Sequence, residues 1–173
     1  MPSERPIFCV IPVRRCIEVL VRSLAIVLLA LCPIVALAQE YDPAVEQELY
    51  RLANLERARA GLLSLKYDEK LQGAAREHSR RMAEAQQLSH QFGSEVTLSE
   101  RLARTGAHFD TSGENVALDQ TAEGAHRGLM KSPPHRANIL STEFNEIGIG
   151  VVKSGGSLYV TQDFVREFEK KTE

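Results

Sequence analysis

The chain has 173 residues, enough for one domain with a well-buried core, and a formal net charge of −2. Hydrophobic residues make up 43% and charged residues 25%, a globular balance and not a disordered one. The slight acidity argues against a nucleic-acid partner, which needs a basic footprint.

Residues 1–38 differ from the rest. Arg5, Arg14, Arg15 and Arg22 precede an apolar run from Leu24 to Leu37, which closes on Ala36-Leu37-Ala38. A basic start, a short apolar centre and a small-residue end are the pattern of a secretory signal peptide, with cleavage expected after Ala38. The run falls short of the roughly 20 residues that span a bilayer. No stable membrane span is therefore expected after cleavage, and the protein is expected in the periplasm or outside the cell. An uncleaved segment 17–38 anchoring the chain to the membrane is the alternative. Cys9, Cys16 and Cys32 all lie in this leader, so residues 39–173 have no cysteine. They carry a net charge of about −4, since four Arg and two Glu leave with residues 1–38.

Residues 39–43 read as a short lead into a domain over 44–165. Asp42-Pro43 opens a helix with Val45, Leu49, Leu52 and Ala53 on one face, ending at Gly61. Asp68 caps a second helix whose buried stripe is Leu71, Ala74, Ala75, His78, Met82 and Ala85. Residues 88–98 are polar and irregular. Thr97-Leu-Ser-Glu100 has the form of a capping box and starts a short helix that stops at Gly106. Gly113–Leu118 reads as extended, residues 121–130 as helix, and Ser132-Pro-Pro-His135 as a break before a turn or two of helix over 136–140. The runs 147–152 and 157–165 alternate like strands and form a hairpin around Lys153-Ser-Gly-Gly156. Residues 166–173 read as a charged, frayed tail. Helices first and a hairpin last predict an α+β layer fold.

No zinc-protease helix motif, nucleophile elbow, phosphate-binding loop or cysteine nucleophile is present in residues 39–173. His90, Glu114 and His135 stand out instead, each expected in an irregular segment beside Gly or Pro. His78 reads as a hydrogen-bonded core residue, His108 and His126 as surface residues. Asn54 and Arg57 read as structural residues that pin loops. Ser132 is a hydroxyl close in sequence to the candidate site histidine His135, and capping the turn before Pro133 is its simpler role.

These motifs together resemble the CAP superfamily, the group of cysteine-rich secretory proteins, antigen 5 and pathogenesis-related proteins. The resemblance is carried in order by Asn54-Leu-Glu-Arg57, Ala75-Arg-Glu-His-Ser-Arg-Arg-Met82, Leu88-Ser-His90, Gly113-Glu-Asn-Val-Ala117, Leu129–Leu140 in its short bacterial form, and the closing segments Phe144–Val151 and Tyr159–Phe164. It implies a three-layer α-β-α sandwich with an antiparallel central sheet and a cleft lined by two histidines and two glutamates. Carried over, these are His90, His135 and Glu114, and the histidine pair is where a divalent cation such as zinc would bind. The second glutamate falls at Ser132, so this chain lacks one carboxylate of the pattern. Glu114 can supply a third ligand, orient an imidazole, or hold a water as general base; beside Asn115, it can equally bridge backbone groups of neighbouring loops.

Fold alone does not set function. The missing carboxylate favours a non-enzymatic binding module whose cleft, with His90, Glu114, Ser132 and His135, holds a small apolar or lipid-like ligand, a peptide or a cell-wall component. A metal-assisted hydrolase of peptide or ester bonds with Glu114 as base is the alternative. A surface interaction protein with a purely structural cleft is the third reading.

Overall fold

A computed structural model describes residues 40–168 apart from Ser94. The signal-peptide reading, the cleavage after Ala38, the three cysteines and residues 169–173 of the expected tail lie outside the described residues.

Local signals set the first helices. The Asp42 side chain accepts the Val45 amide, Pro43 sits at the first helical position, and α1 runs Pro43–Arg59. Before it, β1 (Glu40–Tyr41) pairs antiparallel with the end of the hairpin, Glu40 opposite Lys153. Residues 40–43 of the expected lead-in are thus built into the domain, because their backbone groups complete a sheet edge and Pro43 already belongs to α1. Strand β2 (Lys66–Tyr67) follows, then α2 (Glu69–Ala85), capped by Asp68 through the Leu71 amide. The buried face of α2 includes Ser79 and Ala83, whereas Ala85 is exposed at its end. Thr97 and Glu100 form the reciprocal capping box that starts α3 (Leu98–Ala103).

Strand β3 runs Phe109–Asp119, longer than the expected 113–118. Helix α4 spans Ala122–Lys131 and α5 Pro133–Ile139. Strands β4 (Glu146–Ser154) and β5 (Ser157–Glu167) meet at Gly155-Gly156. Both glycines have positive φ, +58° and +81°, the pattern of a type I′ turn that side chains resist. Arg166 and Glu167 belong to β5, so the frayed tail cannot begin at 166; the Glu167 amide donates to Asn145.

The strand order is β1-β4-β5-β3, antiparallel throughout, with β2 adding a two-residue parallel pairing to β4. Alternation along the central strands sends side chains into two layers. Ile147, Ile149 and Val151 join Leu158, Val160 and Phe164 in a large apolar cluster with Leu49 and Ala53 of α1, Ala125 and Leu129 of α4, and Ile139 of α5. On the other face lie Val152, Tyr159, Thr161, Asp163 and Val165, where α2 and α3 supply Met82, Ala83, Leu71, Ala74 and Leu102. Helices therefore cover both faces, giving the α-β-α sandwich. Gly148 and Gly150 let the α2 backbone press onto β4. A Cβ there would lie 2.2 Å from the Leu71 carbonyl carbon and 2.1 Å from the Arg76 nitrogen, respectively.

Candidate functional site

Strand β3 ends the sheet order, and the candidate residues gather along it from both faces. Glu114 stands on a regular strand opposite Asp163, and Asn115 opposite Gln162. Consecutive residues point to opposite faces, so Glu114 turns toward α2 and α3 and Asn115 toward α5.

Glu114 is 7% exposed. Its Oε1 lies 2.8 Å from His90 Nδ1, and its Oε2 accepts from Arg101 Nη2. Of the roles open to Glu114, this geometry matches orientation of an imidazole. In the Nδ1–H tautomer, whose proton points at the carboxylate, the ring presents Nε2 with a free lone pair. The His90 side chain is 58% exposed, so that lone pair is open to solvent and solutes. His90 lies in the irregular segment between α2 and α3, as expected.

His135 comes from the first turn of α5, not from an irregular break, because Pro133 and Pro134 start the helix before it. Its ring lies 6.2 Å from that of His90, centroid to centroid. Asn115 donates to the His135 carbonyl at 3.1 Å and to Gln162 Oε1 at 3.1 Å. Asn138 donates to the Glu114 carbonyl at 3.1 Å and to Asn115 Oδ1 at 2.9 Å. Two asparagines thus latch α5, and with it His135, to the sheet. Burial, with the neighbouring His90, pushes the His135 imidazole below its ordinary value and favours its neutral form.

Behind Glu114 lies a buried ionic network that the sequence reading did not assemble. Arg101 on α3 is 8% exposed and reaches Glu114, Glu95 Oε1 at 3.4 Å and Asp163 Oδ1 at 3.7 Å. His78 is fully buried, its Nδ1 3.0 Å from Glu95 and its Nε2 2.8 Å from the Ser89 carbonyl. It is therefore a hydrogen-bonded core residue, but one that anchors the loop carrying His90. Burial works against the charge on Glu95; the Phe92 amide, His78 and Arg101 outweigh it and hold the carboxyl below its ordinary value. Glu95, Arg101 and Asp163 are the residues missed. The available signal was Asp163 itself, the one charged residue in the run 157–165.

The remaining candidates lie elsewhere or act structurally. Asn54 exchanges two hydrogen bonds with the Leu65 backbone, at 2.8 and 3.2 Å. Arg57 donates to the carbonyls of Leu63, Ile139 and Ser141, tying α1 to the end of α5. Ser132 occupies the N-cap of α5, but its hydroxyl makes no capping hydrogen bond: its backbone amide instead closes α4 on Gly128 and Leu129. His126, expected on the surface, is 5% exposed and has no hydrogen-bond partner for either ring nitrogen among the described residues. It lies on the inner face of α4, 4.0 Å from Glu56 of α1, which its one-turn spacing from Ala122 and Leu129 had indicated. No group of three or more His, Cys, Asp or Glu able to hold a metal ion occurs among the described residues, so a metal at His90 and His135 would have two protein ligands.

Residues 50–164 match the family model described as CAP: Cysteine-rich secretory protein family. The uncharacterized protein YkwD of Bacillus subtilis is 37% identical over 123 residues, covering 70% of this chain and 47% of that protein. The uncharacterized membrane protein YlbC of the same organism is 29% identical over 124 residues, covering 71% of this chain and 35% of that protein. The chain thus spans less than half the length of these curated relatives. Among solved structures, an extracellular SCP-domain protein from Bacillus anthracis superposes with TM-score 0.67 at 31% identity, covering 72% of this chain and 41% of that one. An outer surface protein of Borrelia burgdorferi shares the fold at TM-score 0.69 and 18% identity, covering 75% of this chain and 99% of that one. No helix among the described residues is long and apolar enough to cross a membrane. The ordered motifs, the sandwich and these matches place the chain in the CAP family of cysteine-rich secretory proteins.

Proposed function

We propose that this is an exported binding module whose His90–His135 pair takes up a divalent cation such as zinc and, through it, a peptide or cell-wall ligand with oxygen donors. One observation carries the reading: Glu114 holds His90 by Nδ1 while a second imidazole stands 6.2 Å away. Carboxylate-held imidazoles are the usual form of histidine metal ligands. Two neutral imidazoles suit zinc at about 2.0–2.1 Å per nitrogen, and with only two of them the coordination stays open for water or ligand. The ion would act as a Lewis acid toward whatever oxygen completes it. Glu114 orients His90, Asn115 and Asn138 fix His135, and Arg101 donates to the second Glu114 oxygen from behind. Ionic groups back the pair, which favours a polar ligand over the apolar or lipid-like one that the motifs also allowed. Export is supported by the basic-apolar-small pattern of residues 1–38 and by the extracellular relative from Bacillus anthracis.

The test is zinc titration of the purified protein by calorimetry and thermal shift. One site per chain is expected, with about 2.7 kcal/mol of added stability at 100 times its dissociation constant. His135→Ala should abolish it. Absence of heat and shift, or a response unchanged in His135→Ala, rules the reading out. The Glu114–His90 dyad is also the arrangement of a general base, which gives a metal-assisted hydrolase its one specific support. Zinc-dependent ester or peptide turnover, lost in His90→Ala, would move the assignment to that class.

A further inference from the structure

The family pattern has two carboxylates at the cleft, and this chain has Ser132 where the second belongs. A second carboxyl nevertheless reaches Glu114, from inside the sheet. Asp163 is the direct cross-strand partner of Glu114, and the next strand over places Gly148 opposite Asp163. The absent side chain at Gly148 is replaced by the α2 backbone at Leu71 and Gln72, which helps seal this face of the sheet. Asp163 is fully buried, and neither of its oxygens has a hydrogen-bond partner among the described residues. Glu114 and Asp163 converge on one guanidinium nitrogen, Arg101 Nη2, which lies on Glu114 and stands 3.7 Å from Asp163.

We propose that Asp163 is the second carboxyl of this site, a neutral acid that donates a hydrogen bond to Glu114 and holds that carboxylate between Arg101 and His90. An ionised Asp163 would be a buried charge with no donor of its own, a costly state. The groups around it leave little choice. Arg101 faces it from α3, Glu114 from β3, and Glu95 and His78 stand one step behind Arg101. Arg81 of α2 serves Glu95 at 3.6 Å, so among the described residues Arg101 is the one cation within 4.0 Å of Asp163, and it already lies on Glu114. Burial, with the adjacent Glu114, raises Asp163 well above its ordinary value against the pull of Arg101. The only acceptors this proton needs are the oxygens of Glu114, so the donated bond satisfies an orphan and orients Glu114 at once. Asp163 is thus a positioning residue, acting on His90 through Glu114. It rests on the site described above but needs no bound cation.

Infrared spectroscopy near neutral pH reads the proton directly. Glu146 is another raised carboxyl, so the comparison is Glu146→Gln against Glu146→Gln with Asp163→Asn. A protonated-carboxyl stretch is expected in the first and absent in the second; identical spectra overturn the proposal. The positioning role is read from the ring ¹⁵N shifts of His90, which report its tautomer. Asp163→Asn retains a donor, so the Nδ1–H tautomer should stay within about twofold of the wild type in population, whereas Asp163→Ala should lose the bias. Loss in both variants, or in neither, overturns the role. Should Asp163→Ala not fold, the infrared band and the Asp163→Asn tautomer still decide. A missing zinc response with these results intact would remove the cation and leave Asp163 in place.

Discussion

The two faces of one sheet do different work. Toward α1, α4 and α5 the central strands present Ile147, Ile149, Val160 and Phe164, closed by apolar side chains. Toward α2 and α3 the same strands present Thr161 and Asp163 amid Arg101, Glu95, Glu114 and His78. Phe164 and Asp163 are neighbours in sequence and belong to opposite environments. Stability without titration is concentrated on one side, and groups able to orient an imidazole on the other.

The first way to break this contrast is Phe164→Ala, on the apolar face and stacked with Phe144 at 5.5 Å. It should cost about 3–5 kcal/mol by denaturant unfolding, with little dependence on pH. Arg101→Met, on the charged face, should cost about 3 kcal/mol near neutral pH, because Glu114 and Glu95 lose their buried cation. Its loss must titrate. Glu95 is held below its ordinary 4.5, so the stability it contributes is present above that value and fades as pH falls through its folded one. The deficit of Arg101→Met should therefore shrink in acid. A pH-independent deficit, or a titrating one in Phe164→Ala, would erase the distinction.

The smallest effect sharpens the contrast by its exception. His126 is an ionisable group on the apolar side, pushed below its ordinary 6.5 chiefly by burial. Below 6.5 the unfolded chain takes up a proton that the folded one refuses, so wild-type stability should fall with pH there. His126→Leu should lose less stability than the wild type between neutral and mildly acidic pH. Equal slopes would mean that the buried ring is protonated in place.

How much of this the chain announces depends on the range over which each signal acts. The caps at Asp42, Asp68 and Thr97 are legible because donor and acceptor lie three residues apart. The Gly155-Gly156 turn is legible because glycine accepts the positive φ that both of its positions require. His90, Glu114 and His135 stand out by residue type and by the order of motifs around them. The two-residue strands β1 and β2 carry no pattern of their own and exist only through β4. Arg101 and Asp163 are 62 positions apart, and only the β3–β5 register and the placement of α3 bring them to one carboxylate. His126 reads as polar until α1 covers it, and the Ser132 hydroxyl makes no capping hydrogen bond although its residue sits at the N-cap of α5.

The glycines beneath α2 have a mechanical consequence. With the helix backbone seated on Gly148 and Gly150, any slide along β4 would drive it into a neighbouring side chain such as Val152. Helix α2 is thereby indexed to the sheet in whole steps, and His78 with it. Helix α5 is clamped by Asn115 and Asn138, so His135 is equally fixed. His90 comes instead from the irregular segment between α2 and α3, tied to the fold by His78 at the Ser89 carbonyl and by Glu114 at its own ring. A ligand that widens or narrows the gap between the two imidazoles must work against those ties or against the clamp on His135.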